Sequence, residues 1–467
     1  MTDITYNSSE ILDEIRLFYP FYDGKPAIDI AHDINGNFFV FNVKIEDNTY
    51  KYQYLIKTKK DFSTSAKLSM YRALSAYTGI CPPWGSLTGI RPTKLVYDYL
   101  QNKSSNLKDF SDDEQKEIID FLSNKYYVST KKSLIISDII NNQKQFYIKN
   151  NDFVNLYIHI PFCPTKCVYC SFVSLDARKF SSLIPVYVDA LILEIQKTLE
   201  FILQQGYKVY SIYIGGGTPT VLDEKQLSRL LSAIKEKLPS DLEFTVEAGR
   251  PDTITYEKLD IMKEFGVNRI SVNPQTFNNE TLKNIGRLHS AEDVVEKYYL
   301  AKERGFVINA DLIAGLPNET LEYFKLTIDK ILQIKPHNVT VHTLARKNGS
   351  EYKLGKLDNN NYTEEMVDDA YVRLTQNGYL PYYLYRQKSM MGNLENIGYA
   401  LPNFQCVNNI TVMEETLSVV ACGAGAINKR LFENNRIERL ANLRDVKLYL
   451  EQFDARLKNK LDFFNRK

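Results

Sequence analysis

Cys163, Cys167 and Cys170 stand within the stretch IHIPFCPTKCVYCSF, and the whole chain of 467 residues has only six cysteines. A C-x3-C-x2-C spacing does not suit an ordinary zinc finger, whose ligands come in two pairs. Three thiolates can hold three corners of a 4Fe-4S cube, which normally takes four Cys, and so leave one iron without a protein ligand. An iron open in this way can bind a small molecule and pass it an electron. The same residues also permit a loop of unrelated cysteines, or a three-Cys zinc site completed by His159. Cys81, Cys406 and Cys422 are scattered and read as buried or partly buried thiols.

Other chemistry-bearing residues close short apolar runs. Tyr157 and His159 alternate with Leu156, Ile158 and Ile160, so a strand puts the pair on one face, leading to the cysteine loop. GGGTPT at 215–220 follows VYSIYI. Three glycines remove side chains where a ligand must approach and permit positive φ, and the lack of a following Gly-Lys argues against a nucleotide phosphate. Glu247 ends LEFTVEAG and Asp311 lies in INADLIAG, where a carboxylate can accept from an amine or from paired ribose hydroxyls. The Arg287 fork suits a carboxylate, although from the residues alone a surface place for Arg287 and a helix cap for Asp311 are favoured.

The elements that must position these groups follow a steady rhythm over residues 151–388. NLYIHI, VYSIYIGGG, LEFTVEAG, RISVNP, VINADLIAG and NVTVHTLA read as strands, and segments at helical spacing alternate with them. Six β/α units in series imply an α/β fold built on a parallel sheet, and their even spacing suits a partial (β/α)6 TIM-like barrel, with chemistry at the carboxyl ends of the strands. Residues 1–150 form a separate α+β N-terminal domain: an antiparallel meander over AIDIAHDINGNFFVFNVKIEDNTYKYQYLIKT, then helices. Residues 389–467 form a mixed C-terminal region closing in a helix over RDVKLYLEQFDARLKNKLDFF.

Composition excludes several classes. Fifty-eight Lys and Arg against 57 Asp and Glu leave a formal charge of +1, so no basic field points to nucleic acid or anionic lipid. No apolar run reaches the roughly 18 residues of a membrane span. The opening MTDITYNSSEILDEI lacks an apolar h-region, and clustered cysteines fit metal or redox work in a reducing compartment, so a cytoplasmic location is expected.

The cysteine motif, with an aromatic Tyr169 before its last Cys, resembles the signature of the radical S-adenosylmethionine enzymes. YIHIPFC, GGGTPT, Gln275 followed by Arg287, and DLIAGLP resemble the branch of oxygen-independent coproporphyrinogen III oxidase and its related haem chaperones. WGSLTGIRPTK, TVEAGRPDTI and GNLENIGYA are similar to the longer sub-branch called coproporphyrinogen dehydrogenase.

The resemblance implies a 4Fe-4S cluster on Cys163, Cys167 and Cys170, with S-adenosyl-L-methionine chelating the open iron. It implies cofactor contacts from Tyr157, Gly216, Gly217, Thr218, Glu247, Gln275, Arg287 and Asp311, with a backbone contact from Ala345. Tyr157 and His159 are its catalytic candidates, His159 for proton movement or loop ordering. The implied partners are a porphyrinogen or haem-type tetrapyrrole and a small electron-transfer protein as reductant. Arg250, Arg287, Arg346 and Lys347 are candidate cations for substrate carboxylates. In the oxidase a further Cys follows the third ligand by two positions, where this chain has Phe172 after Ser171, as in the chaperone branch. Oxidative decarboxylation of coproporphyrinogen III propionates to vinyl groups, haem delivery without turnover, and radical chemistry on another substrate such as a methylation are therefore the three functions in play.

Overall fold

The computed structural model describes residues 8–20, 22–36, 38–89, 91–101, 112–172, 174–345, 362–387, 390–432 and 436–465. Arg346 and Lys347 lie outside the described residues. The chain divides into two compact units, 1–141 with 386–394, and 142–385 with 395–467.

In the first unit an antiparallel meander joins β1 (Ile28–Asn35), β2 (Phe38–Ile45) and β3 (Asn48–Leu55). Alternation along β2 turns Phe39, Phe41, Val43 and Ile45 onto the helix Lys59–Thr78, where Phe62, Met70 and Leu74 complete a core. That helix starts at a capping box on Thr58 and Asp61 and stops at the left-handed Gly79. Cys81, two residues later, is exposed rather than buried. Trp84 of the WGSLTGIRPTK motif is buried, with the Arg386 guanidinium 5.1 Å from its ring centroid. Helices Ser8–Phe18 and Thr130–Gln143 are further elements that apolar spacing alone did not single out.

The second unit carries the expected α/β rhythm. Apart from β5 (Phe162–Cys163) and β6 (Leu175–Asp176), a short parallel pair in the cysteine loop, the chain alternates strand and helix. The strands β4 (Phe153–Ile160), β7 (Lys208–Gly216), β8 (Glu243–Val246), β9 (Arg269–Ser271), β10 (Val307–Ala314) and β11 (Asn338–Thr343) pair in parallel, each beside its predecessor. Helices Leu183–Gln204, Glu224–Lys235, Tyr256–Glu264, Ala291–Glu303 and Leu321–Ile334 make the crossovers, and Thr363–Gln376 follows β11. Side-chain caps at Asp223, Thr255, Ser290 and Thr320 start four of them.

The same sheet extends further at both edges. β12 (Leu380–Tyr385) and β13 (Asn396–Ala400) add antiparallel strands beside β11. β14 (Ser418–Cys422) lies parallel to β4, with β15 (Ile427–Leu431) and β16 (Ile437–Ala441) antiparallel beyond it. The C-terminal helical stretch is two helices, Val446–Glu451 and Phe453–Phe464, broken at Gln452.

A period of two sorts the strand residues. Leu156, Ile158, Ile212, Ile214, Phe244, Ile270, Ile308, Leu312, Val339 and Val341 are buried in the core. The alternate residues Tyr157, Tyr213, Glu247, Asn273, Asp311 and His342 form the site face. At the amino-terminal end of the strands that face is closed by Arg269, which donates to Asn309 Oδ1 at 3.0 Å, Glu243 Oε2 at 3.3 Å and the carbonyl oxygens of Phe404 and Gln405. Glu243 in turn accepts the N–H groups of Val407 and Asn408, each at 3.0 Å. The opposite, carboxyl end carries the cysteine loop.

Candidate active site

The cysteine loop is held by two buried arginines. Arg250 makes a two-pronged pair with Asp252, 3.0 Å on each side, and its Nη1 donates to Thr165 Oγ1 at 3.0 Å and reaches the Cys167 sulfur at 3.8 Å. Arg287 donates to the Gly249 and Asn273 carbonyl oxygens at 3.0 and 2.7 Å, and to the Tyr169 hydroxyl at 3.1 Å. Backbone bonds from Val168 N–H to the Ile285 oxygen and from Cys170 N–H to the Cys167 oxygen finish the loop. Both guanidiniums were expected at a ligand carboxylate. They are 4 and 7 % exposed, Arg250 bonded to Asp252 and the loop and Arg287 to the loop and backbone oxygens, with Arg287 Nε buried and without a partner.

The glycine turn packs on the same loop. Gly217 N–H donates to the Ile160 oxygen and Thr218 N–H to the Phe162 oxygen, at 2.8 and 2.7 Å, and Thr218 Oγ1 lies 3.5 Å from the Cys163 sulfur. Gly216 has φ of +104°, and a Cβ there would collide with the His159 imidazole. The space that these glycines leave therefore serves His159 and the Phe162 backbone as well as any ligand.

Carboxylates and amides line the neighbouring strand ends. Tyr213 donates to Glu247 Oε1 at 2.6 Å. Burial pushes the Glu247 carboxyl up to about 7, against the Tyr213 bond and aided by the Asp311 charge. Tyr157 stacks 6.2 Å from Tyr213, and burial raises its hydroxyl above the ordinary value. Asn273 brackets Asp311, donating from Nδ2 to Oδ2 at 2.9 Å and accepting the Asp311 N–H at 3.2 Å. His342 Nε2 lies 3.7 Å from the same Oδ2, and its Nδ1 meets the Tyr385 hydroxyl at 3.2 Å. Gln275 is clamped to β10 through its N–H to Asp311 and its carbonyl to Ile313. It has a left-handed φ of 65°, and its buried Oε1 has no partner. Non-glycine residues seldom take this conformation, and here the two backbone bonds to β10 impose it. Ala345 is buried just past β11.

Asn273, Tyr213, His342, Tyr385 and the loop-holding role of Arg250 were not read from the sequence. The two-residue period carried on from Ser271 puts Asn273 on that residue's face, whereas Tyr213 stands opposite Tyr157 only through the β4–β7 register, which has no local sequence signal.

The donor set fits a cubane. Among the described residues no three His, Cys, Asp and Glu side chains gather round a single ion. A cubane asks instead for thiols at separate corners, and the three cysteines, none in a disulfide, sit round one loop with a hydroxyl and a guanidinium against two of the sulfurs. The acceptors Glu247, Asp311 and Gln275 Oε1 beside them fit a ligand bearing an amine and hydroxyls.

Comparison with known proteins agrees. Residues 157–331 match the Radical SAM superfamily. The oxygen-independent coproporphyrinogen-III oxidase-like protein HemZ of Bacillus subtilis is 38% identical over 406 residues, covering 84% of this chain and 79% of HemZ. The heme chaperone HemW of Lactococcus lactis is 35% identical over 279 residues, 58% of this chain and 68% of HemW. Among solved structures, coproporphyrinogen III oxidase HemN from Escherichia coli superimposes with a TM-score of 0.54 at 24% identity, over 68% of this chain and 73% of HemN, a likeness of fold.

Proposed function

Because the chain belongs to the radical SAM superfamily, in the family of coproporphyrinogen oxidase-like proteins and heme chaperones, and so uses a 4Fe-4S cluster with S-adenosylmethionine, we propose that it is an oxygen-independent oxidative decarboxylase of a propionate-bearing porphyrinogen. The observation that carries this reading is the relative named oxidase-like, whose likeness extends over 84% of the chain. The acceptor-rich strand ends beside the cysteine loop support it.

When bound, cluster and cofactor supply a 5'-deoxyadenosyl radical that takes a hydrogen atom. The residues of the chain have separate tasks. Cys163, Cys167 and Cys170 are the cluster ligands, and Arg250, Arg287 and Thr218 hold their loop in place. Glu247, Gln275 and Asp311 accept from amine and hydroxyl groups, while Gly216, Gly217 and Ala345 offer backbone at close range. Tyr157 shields the radical site, and His159 handles a proton there. Each propionate that becomes a vinyl group gives up one β-hydrogen atom, one electron and carbon dioxide, so an external acceptor takes the electron. A small electron-transfer protein serves as reductant.

One observation favours a second reading, haem delivery with the cluster kept. Ser171 and Phe172 stand where the oxidase motif has its additional thiol, and heme chaperones are among the relatives. Anaerobic reconstitution followed by incubation with coproporphyrinogen III, S-adenosylmethionine and reductant decides between them. Vinyl product supports the decarboxylase; tight haem binding with no vinyl product replaces it with the chaperone.

A further inference from the structure

His159 is gripped from behind, on the side away from the glycine turn. Its Nδ1 meets the Ala424 carbonyl oxygen. A carbonyl can only accept, so in the neutral ring Nδ1 carries the proton and Nε2 the lone pair. Burial holds the imidazole below its ordinary pKa, which favours that neutral ring. The ring lies against Gly216, where an added Cβ would strike Cδ2 and Nε2.

The Ala424 carbonyl is itself held in place. The Tyr187 hydroxyl accepts the Ala424 N–H at 3.1 Å and donates to the His159 main-chain oxygen at 2.7 Å. One residue earlier, Gly423 N–H donates to Glu194 Oε2 at 2.7 Å, and the Gly423 oxygen accepts from Asn442 Nδ2 at 2.8 Å. Glu194 also accepts from the Tyr449 hydroxyl at 2.6 Å, from Asn442 and from Lys460 Nζ. Glu194 and Lys460 are both buried. Such a pair adds little net stability over apolar packing, yet every group it gathers shapes the turn 422–425 that faces His159.

We infer that Tyr187 and Glu194 are positioning residues which, through Gly423 and Ala424, fix His159 as the Nδ1–H tautomer and present Nε2 as a hydrogen-bond acceptor towards the Gly216 side of the site. The tautomer follows from geometry alone; its consequence for catalysis rests on the radical reading above. A turn that served only to pack the C-terminal strands would leave the tautomer indifferent to Tyr187.

Ring 15N-labelled histidine in the cluster-free full-length chain tests this directly. The chain has five histidines, and His159→Gln assigns the signal. The expected wild-type spectrum is the Nδ1–H form. Tyr187→Phe keeps the ring that packs edge-on against Phe162, and in it the Nε2–H form should grow about fivefold, the worth of one lost hydrogen bond. Glu194→Gln should move in the same direction. A wild-type Nε2–H form, or an unchanged spectrum in a Tyr187→Phe chain that unfolds cooperatively, overturns the inference. No tetrapyrrole is needed, so failure of the proposed function leaves this test standing. After reconstitution, Tyr187→Phe should cleave S-adenosylmethionine about tenfold more slowly at unchanged iron content, and an unchanged rate overturns the catalytic consequence.

Discussion

The Tyr213 hydroxyl lies 2.6 Å from Glu247 Oε1, on the neighbouring strand end. Burial and the Asp311 charge drive Glu247 towards its neutral form, and the tyrosine bond opposes them. At a carboxyl pushed up to about 7, the acceptor strength of this corner changes near neutral pH, so a cationic ligand amine, which favours the carboxylate, binds more tightly as pH rises through that range.

Removing the hydroxyl should therefore weaken cofactor binding and shift its pH dependence. Tyr213→Phe is expected to lower S-adenosylmethionine affinity about tenfold at pH 7, the order of one hydrogen bond to a charged group, with the rise in affinity displaced to higher pH. Titration calorimetry of reconstituted protein between pH 6 and 9 measures both. Equal affinities in wild type and variant across that range would remove Glu247 from the binding site.

Arg287 concerns the loop instead. Arg287→Met leaves the Gly249 and Asn273 oxygens and the Tyr169 hydroxyl without their donor, and stranded buried acceptors cost about 1–3 kcal/mol each before relaxation. The expected loss in urea unfolding is about 3 kcal/mol, with lower iron content because Tyr169 adjoins Cys170. Arg287→Lys should recover only part of this, since an ammonium cannot span the same fork. Full iron content in Arg287→Met would show that the loop closes without it.

How much of this was legible depended on which residues carry a local signal. The six β/α units were readable because apolar runs alternate with capped helices, as at Asp223 with Gln226 and Ser290 with Asp293. The cysteine loop was readable from spacing. The roles of Arg250 and Arg287 in the loop were not, because a guanidinium spent on a neighbouring carboxylate or on backbone oxygens has the same sequence appearance as one awaiting a ligand carboxylate. Tyr213 and Asn273 were missed for a related reason: a period of two separates the faces of a strand without telling an enclosed polar face from a solvated one. β14 joins β4 across more than 250 residues, a pairing with no local signature.

Glu319 offers a test in stability rather than binding. It is 2 % exposed, accepts from the Thr276 hydroxyl, and burial pushes it from 4.5 up to about 7. The folded state thus keeps a proton that the unfolded chain releases, so this stabilisation is complete below about pH 4.5 and is lost as pH rises to about 7. Glu319→Gln keeps an acceptor for Thr276 without the charge. It should match wild type near pH 5 and exceed it by up to about 3 kcal/mol at pH 8. Some slope will persist, because Glu14 in the other unit is buried and pushed up to about 8. Urea unfolding at the two pH values checks this, and an equal deficit or gain at both would contradict the linkage.

Gly398 in GNLENIGYA carries the most local prediction. It pairs with Thr340 on β11 and with Tyr383 on β12, and a Cβ on it would run into the Tyr383 ring. A glycine inside a strand usually marks such an approach. The Tyr383 ring cannot lift away freely: it stacks 6.3 Å from Tyr385, and its hydroxyl lies 3.0 Å from Thr340 Oγ1. Gly398→Ala should thus cost about 1–3 kcal/mol through overpacking. If the cost arises at that ring, Tyr383→Leu, which removes the obstruction, should make the alanine nearly harmless, and a double-mutant cycle in urea should show coupling of about 1 kcal/mol or more. Tyr385 meets His342, which faces Asp311, so Gly398→Ala should also weaken S-adenosylmethionine binding while Cys163, Cys167 and Cys170 keep their iron. Additive stabilities in the cycle would place the strain elsewhere and break this route from strand packing to the Asp311 corner.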